Sequence, residues 1–249
     1  MRPRPKPDDK PHMRILVINP NMTQDITARV VKAAQSFLPM GTELVGVTGR
    51  FGSPYITSRP SFAVGGHAAL DALAGHCSTP LDAVMLACFG DPALAALREI
   101  SAVPVIGMAE ASCHLASRSA GRFSIVTGGA AWVPMLEEFV ASIGLTARLA
   151  SIKATAMTGG EIARDPDRAL DALAGEISAC AGDGAERVIL GGAGLAGIAG
   201  TLASRVGVPL IDCIEAMARI TIEAISVDQL AGRKARTSPS AAAFRASFM

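Results

Sequence analysis

Residues 82–91 read DAVMLACFGD, and residues 186–195 read ERVILGGAGL. Each stretch is a short apolar run that ends in small residues. Each is followed by a second run of the same kind, AVPVIGMAEA at 102–111 and GVPLIDCIEA at 207–216. Buried strands of a parallel sheet are continuous apolar runs because both faces of the sheet are covered. The chain therefore contains one α/β pattern twice.

The same order of strand, loop and helix continues on both sides of these runs. RILVIN (Arg14–Asn19) and ELVGVT (Glu43–Thr48) precede the first copy, and RFSIVTGG (Arg122–Gly129) and RLASIKA (Arg148–Ala154) precede the second. Strands that alternate with helices form a parallel sheet with helices on its faces. We predict an α/β fold of two pseudo-symmetric lobes, each a four-stranded parallel sheet flanked by helices, with the active site in the cleft between them.

The same pattern predicts the domain boundaries. Residues 13–112 form the N-terminal lobe together with residues 213–232, because the last helix is expected to pack back on the first half. Residues 113–212 form the C-terminal lobe. Residues 1–12 and 233–249 are Pro-rich or basic and are predicted to be disordered tails.

The composition limits the classes of function. Half of the 249 residues are hydrophobic, and the net charge is +1, so no global field favours nucleic acid or an anionic membrane. Five cysteines without a CxxC pair, and an N-terminus without an apolar signal segment, favour a reducing cytoplasm. The four histidines show no metal-ligand spacing, so no metal is expected.

Ligands of open parallel sheets bind beyond the carboxyl ends of the strands. Here these ends are poor in charge and rich in small residues, whose backbone amides can bind anionic oxygens. A small carboxylate, imide or amide ligand is therefore expected rather than a polyphosphate. The run GGAGLAGIAG contains GxGxxG, but no acidic residue ends a following strand at the required distance, so nucleotide binding is not predicted.

Cys88 is the main candidate for chemistry. It ends an apolar run and precedes a helix opened by Asp91 and Pro92. A helix N-terminus lowers the pKa of a nearby thiol, so we expect a thiolate that can exchange a proton or attack an electrophile. The alternative is a small apolar side chain that closes a strand. Cys213 is the only other thiol expected near the cleft.

Five stretches together resemble the aspartate/glutamate/hydantoin racemase superfamily, and within it the hydantoin and allantoin racemase branch. They are RILVINPNMT, ACFGDPAL, PVIGMAEASCH, GRFSIVT and GAERVILGGAGLAGI, in family order over residues 13–225. The resemblance implies a cofactor-independent isomerase that is a homo-oligomer. Its small-molecule substrate would be a hydantoin, allantoin, an amino acid or a malonate-like compound.

In such racemases one cysteine from each lobe flanks the stereogenic carbon of the substrate. The resemblance assigns the first catalytic position to Cys88 and the second to Gly192, where this chain lacks the thiol. It assigns substrate binding to the NPN motif, to the turns after both catalytic positions and to the end of the second lobe's first strand. These residues are Asn19, Asn21, Phe89, Gly90, Asp91, Thr127, Gly128, Ala193 and Gly194.

The missing thiol leaves several interpretations open. Loss of one acid/base group typically slows such a reaction ~10²–10⁴-fold, so Gly192 would impair a racemase. A second interpretation is a one-cysteine decarboxylase of the arylmalonate type, in which loss of a carboxylate generates the carbanion. In a third interpretation the chain is a racemase in which Cys213, or a water near Gly192, replaces the second base. An inactive small-molecule binding protein is the alternative of a different class.

Overall fold

The computed structural model describes residues 13–119, 121–232 and 236–248. Strands in these parts of the chain form two parallel four-stranded sheets. The first contains β1 (Arg14–Asn19), β2 (Glu43–Thr48), β3 (Ala83–Leu86) and β4 (Val105–Gly107), and the second β5 (Phe123–Gly128), β6 (Leu149–Thr155), β7 (Arg187–Gly191) and β8 (Leu210–Asp212). Their orders are β2-β1-β3-β4 and β6-β5-β7-β8. The sheets share one topology, which confirms the predicted α/β fold of two four-stranded sheets.

Helices cover the faces of both sheets. They are α1 (Gln24–Gln35), α2 (Arg59–Gly75), α3 (Leu94–Ile100), α4 (Met108–Ser117), α5 (Trp132–Ser142), α6 (Gly159–Arg164), α7 (Pro166–Gly182), α8 (Ala199–Ala203), α9 (Cys213–Leu230) and α10 (Pro239–Phe248). None of the described helices has the length and apolar character needed to cross a membrane. The central strands β1, β3, β5 and β7 are buried along nearly their whole length, as their apolar runs predict.

Two helices join the lobes. Helices α4 and α9 pack on each other, α4 contacts β4 and β7, and α9 contacts β3 and β8. One apolar cluster accordingly includes Ile15 of the first sheet, Phe123 of the second and Met217 of α9. The lobe boundaries at residues 112 and 213 stay a prediction, because the helix at each boundary packs on both sheets.

The C-terminal segment differs from the predicted disorder. Leu81 and Arg236 form an antiparallel bridge through two backbone hydrogen bonds of 3.1 and 2.9 Å. Helix α10 packs on α2 and α3 and buries Ala241 completely. The prediction was therefore wrong for residues 236–248. Its physical reason is local: Pro239 occupies the first turn of α10, where its missing amide costs nothing, and small alanines allow close packing. Residues 1–12, 233–235 and 249 of the predicted tails lie outside the described residues.

Ala241→Glu tests the docking of α10. A carboxylate at this fully buried position forces the helix off its neighbours, so we expect a loss of about 2 kcal/mol in the free energy of unfolding. For a chain of this size that corresponds to a decrease in Tm of about 4–8 °C, measured by circular dichroism. Ala242→Glu, at the next and exposed position, is the matched control and should change Tm by less than about 2 °C. Equal Tm values for both variants would contradict the docked helix.

Candidate active site

A cavity of about 70 Å³ lies between the two lobes, at the carboxyl ends of the central strands. It has room for a few waters or one small ring. From the first lobe it is lined by Asn21, Ile26, Tyr55, Ile56, Thr57, Ala87, Cys88 and Phe89, and from the second by Thr127, Gly128, Trp132, Gly159, Gly160 and Gly191–Leu195. Both lobes therefore contribute to one site.

The glycine-rich run after β7 allows the lobes to approach closely. The ring of Phe89 lies against Gly191, where an added Cβ would be 2.5 Å from the Cε1 atom. Gly194 lies equally close to the backbone carbonyl of Gly159, so a side chain there would clash as well. Gly191 is therefore a packing position at the contact between the lobes, and Gly194 is one within the second lobe.

Eight of the residues predicted for the site line the cavity. They are Asn21, Cys88, Phe89, Thr127, Gly128, Gly192, Ala193 and Gly194. Asn19, Gly90 and Asp91 do not line it. The two polar side chains bond to neighbours, and Gly90 lies against Trp132 and Phe62. Contact of these three residues with a substrate stays a prediction.

Asn19 supports the site by orienting Asn21. The Asn19 side-chain amide donates to Asn21 Oδ1 at 2.9 Å and to Thr27 Oγ1 at 3.0 Å. Asn21 Oδ1 also accepts from the Thr23 amide at 2.9 Å. These two donors fix the side-chain oxygen of Asn21, which leaves its Nδ2 group as a donor for a ligand.

Asp91 supports the site from behind. Its carboxylate accepts hydrogen bonds from the amides of Ala109 at 3.0 Å and Glu110 at 2.7 Å, at the start of α4. The Asp91 amide donates to the Cys88 carbonyl at 3.0 Å, so this amide is not free to bind a substrate oxygen. Burial raises the pKa of Asp91 to about 7, although the two amide donors and the Arg98 charge lower it.

The Cys88 thiol contradicts the expected lowered pKa. Burial raises its pKa well above the ordinary value, and the neighbouring Asp91 charge raises the pKa further. Helix α3 begins only at Leu94, after Ala93 in a left-handed conformation, so its N-terminus does not follow Cys88 directly. The neutral thiol therefore predominates near pH 7.

Charged side chains are absent from the cavity wall. Among the described lining residues none is Asp, Glu, Lys, Arg or His. In the described parts of the chain, no group of three or more His, Cys, Asp or Glu side chains is placed to hold a metal. An ion entering the cavity would have to rely on backbone amides and neutral side chains.

Gly192 has room for a side chain but an unusual backbone. An added Cβ would have as its nearest atoms Leu195 Cδ1 at 3.4 Å and Thr127 Oγ1 at 3.9 Å. The φ of Gly192 is +145°, which L-residues rarely adopt. The position therefore offers space for a thiol at a cost in backbone strain of about 1–3 kcal/mol.

Cys213 lies behind this position. Its sulfur is 3.8 Å from the Gly192 carbonyl oxygen, to which the thiol donates. Cys213 is buried at the start of α9 and does not line the cavity. Burial and the Asp212 charge raise the pKa of its thiol. The interpretation in which Cys213 replaces the second base is not supported by this placement.

Sequence reasoning missed the loop before α2 and the residues it meets across the cleft. The ring of Tyr55 lies against Gly160, and the Arg164 guanidinium carbon is 5.9 Å from its centroid. Phe62 and Trp132 stack edge to face across the lobes with centroids 6.1 Å apart. The sequence held one signal for the end of this loop. Ser58 accepts a hydrogen bond from the Ser61 amide in a capping box, which marks the start of α2.

Comparisons with known proteins agree with this architecture. Residues 15–221 match the model of the family described as Asp/Glu/Hydantoin racemase. The chain is 38% identical over 210 residues to a hydantoin racemase of Paenarthrobacter aurescens, covering 84% of this chain and 89% of the relative. It is 37% identical over 205 residues to a hydantoin racemase of Pseudomonas sp. strain NS671, covering 82% of each.

Solved structures give the same picture. An allantoin racemase from Pseudomonas fluorescens has a TM-score of 0.82 and 31% identity, covering 92% of this chain and 96% of the other. An arylmalonate decarboxylase is more distant, with a TM-score of 0.60 and 18% identity over 90% of this chain and 96% of the other. The second likeness concerns the fold alone. The hydantoin and allantoin branch is the one that these similarities support.

The raised thiol pKa predicts the reactivity of Cys88. We expect its alkylation by iodoacetamide to accelerate about tenfold per pH unit from pH 7 to pH 9, because the thiolate is the reactive form and the pKa lies above this range. Mass spectrometry of the Cys88 peptide measures the rate, and the partly exposed Cys77 in the same digest reports on the reagent. A plateau below about pH 8 would contradict the raised pKa and restore the thiolate expected from the sequence.

Asp91→Asn tests whether the Asp91 charge raises the Cys88 pKa. Asparagine tolerates the left-handed backbone at this position, where φ is +56°, and keeps one acceptor for the α4 amides. Removing the negative charge lowers the Cys88 pKa, so alkylation at a given pH should be faster than in the wild type. An unchanged or slower rate would show that this charge does not act on the thiol.

Proposed function

Because the chain belongs to the Asp/Glu/hydantoin racemase family, we propose that it is a cofactor-independent isomerase of hydantoin type. It exchanges the proton on a carbonyl-activated carbon of a neutral cyclic substrate, and Cys88 is the acid/base group on one face of that carbon. The observation that carries the proposal is the position of Cys88 on the wall of an interlobe cavity whose described lining is uncharged.

The uncharged wall favours a hydantoin over a free amino acid. An amino acid carries an ammonium and a carboxylate, and burying either without a partner costs several kcal/mol. A hydantoin ring is neutral and presents two carbonyls and two N–H groups. Ile26, Ile56, Leu195 and Trp132 supply apolar surface for a substituent on the reacting carbon. An apolar substituent is therefore favoured over the ureido group of allantoin.

The chemistry follows from the groups on the wall. The thiolate form of Cys88 removes the proton, and the electron pair moves to the adjacent carbonyl oxygen as an enolate. Ala193 begins a 3-10 turn, whose first amides have no partner within the turn. The amides of Ala193 and Gly194, and Nδ2 of Asn21, are the donors that we assign to the enolate oxygens. The Phe89 amide is a further donor from the first lobe.

The raised pKa of Cys88 has two opposing effects on this reaction. It makes the thiolate scarce at neutral pH, which lowers the rate. It also makes each thiolate a stronger base, which brings it closer to the pKa of a carbon acid. Exchange should therefore increase as the pH rises above 7.

Deuterium exchange tests the proposal directly. One enantiomer of a 5-alkyl hydantoin is incubated with the protein in D₂O, and deuterium at the reacting carbon is followed by NMR. We expect exchange with the 5-alkyl hydantoin, slower exchange with allantoin, and none with free amino acids, because the wall lacks charged partners. Cys88→Ser should lower exchange by at least about 10²-fold, because it removes the acid/base group.

Other outcomes would assign a different function. Tight hydantoin binding without any exchange, and with unchanged affinity in Cys88→Ser, would identify a binding protein. CO₂ release from a disubstituted malonate would identify a decarboxylase. The second outcome is disfavoured because a malonate carries two carboxylates and the described wall offers no cationic side chain.

Gly192→Cys tests the interpretation of the missing thiol. The site has space for the new side chain. We therefore expect the ratio of the rate of loss of optical rotation to the rate of deuterium exchange to increase by at least about tenfold. The backbone at φ +145° should lower the free energy of unfolding by about 1–3 kcal/mol. Gly192→Ala is the matched control, with the same backbone strain and no thiol. An equal effect of both variants would contradict a second-base role for this position.

A further inference from the structure

Thr127 places on the cavity wall a hydroxyl that makes no hydrogen bond to the described residues. Its side chain is 4% exposed at the end of β5, yet it lines the cavity. The other buried threonines in the described part of the chain all bond through the hydroxyl: Thr27 to Thr48, Thr42 to Pro39, Thr155 to Met157 and Thr221 to Met217. In the same described residues the Thr127 hydroxyl makes no such bond. The fully buried side-chain atoms without a partner in the described residues are all arginine Nε atoms, so the Thr127 oxygen is open to the cavity. It is therefore available to bond to a ligand or water.

The hydroxyl lies beside the space left by Gly192. Thr127 is the register partner of Gly191, and its Oγ1 is 3.9 Å from the position of a Cβ on Gly192. Cys88 lines the same cavity from the other lobe. The cavity thus has a thiol on its first-lobe wall, and a hydroxyl next to an unfilled volume on its second-lobe wall.

We propose that Thr127 positions a water molecule in the space beside Gly192, and that this water exchanges the proton on the substrate face opposite Cys88. The inference rests on the proposed function and names the group that completes it. Thr127 is a positioning residue, because its own hydroxyl stays protonated and acts through the water. The Thr127 hydroxyl suits a water here, since it can both donate and accept a hydrogen bond.

The proton steps balance without a further reactant. Cys88 thiolate takes the proton from the carbon, and the C–H electron pair enters the enolate. The water then donates a proton to the opposite face of the carbon and becomes hydroxide. Hydroxide takes the proton from the Cys88 thiol through solvent, which restores water and thiolate. The product is the inverted enantiomer, and its new hydrogen comes from solvent.

This arrangement makes the two faces unequal. Cys88 is a fixed side chain whose thiol is a stronger acid than water, whereas the second face depends on a solvent molecule held by one hydroxyl. A proton returned by Cys88 gives exchange with retention only after the S–H group has exchanged with the D₂O solvent. When it has, retention through Cys88 is expected to be faster than inversion through the water. A racemase with two thiols would lack this difference.

The test separates inversion from exchange. One enantiomer of a 5-alkyl hydantoin is placed in D₂O, and the loss of optical rotation and the deuterium content at the reacting carbon are measured together. We expect Thr127→Val to lower the ratio of inversion to exchange by at least about tenfold, because valine keeps the shape and removes the hydroxyl. Thr127→Ser, which keeps the hydroxyl, should recover most of the ratio.

Thr221→Val is the matched control. Thr221 is equally buried in α9, its hydroxyl bonds to the Met217 carbonyl, and it does not line the cavity. The ratio of inversion to exchange in Thr221→Val should equal that of the wild type. An unchanged ratio in Thr127→Val, or the same decrease in Thr221→Val, would overturn the role of Thr127 and leave the proposed function intact. A wild type that exchanges without inversion would overturn the role of Thr127 and the isomerase activity, and would leave only the acid/base role of Cys88. No exchange in the wild type with any hydantoin would overturn both.

Discussion

The contact between the Phe89 ring and the bare α-carbon of Gly191 is the constraint on which the site depends. It brings the end of β3 in the first lobe against the end of β7 in the second, with no room for a Cβ between them. Cys88 precedes this contact and Gly192 follows it. The Cys88 thiol and the opposite wall therefore enclose one small volume because two backbones meet across an aromatic ring.

The fold was largely readable from the sequence, because buried parallel strands have an unmistakable apolar pattern. β1 and β2 begin and end at the predicted residues, and β5 and β6 differ from the predicted bounds by one residue at each end. The site was only partly readable. Strand ends placed Cys88 and Thr127 on the cavity wall, but Tyr55 and Trp132 reach it from loops and helix starts, where no local pattern points to a cleft. The predicted lowering of the Cys88 pKa was wrong, because this pKa depends on burial and on the Asp91 charge, which are tertiary effects.

The same lack of charge that suits a neutral ring disfavours the thiolate. A lysine or histidine beside Cys88 would stabilise the anion, but it would also attract carboxylates and lower the strength of the base. Asp91 adds a negative charge behind the thiol because its carboxylate caps α4. The proposed reaction therefore combines a preference for uncharged ligands with a strong but rarely populated base.

The two helices shared by the lobes determine how a ligand reaches the cavity. A hinge opening of the lobes would separate α4 and α9 from strands of one sheet or the other. Each of these helices has a buried face that packs on both sheets. The loop around Tyr55 crosses to the second lobe only through the faces of its ring, on Gly160 and near Arg164. Displacing this loop breaks far less apolar packing than separating the sheets. The packing therefore favours access to the cavity past this loop over separation of the two sheets.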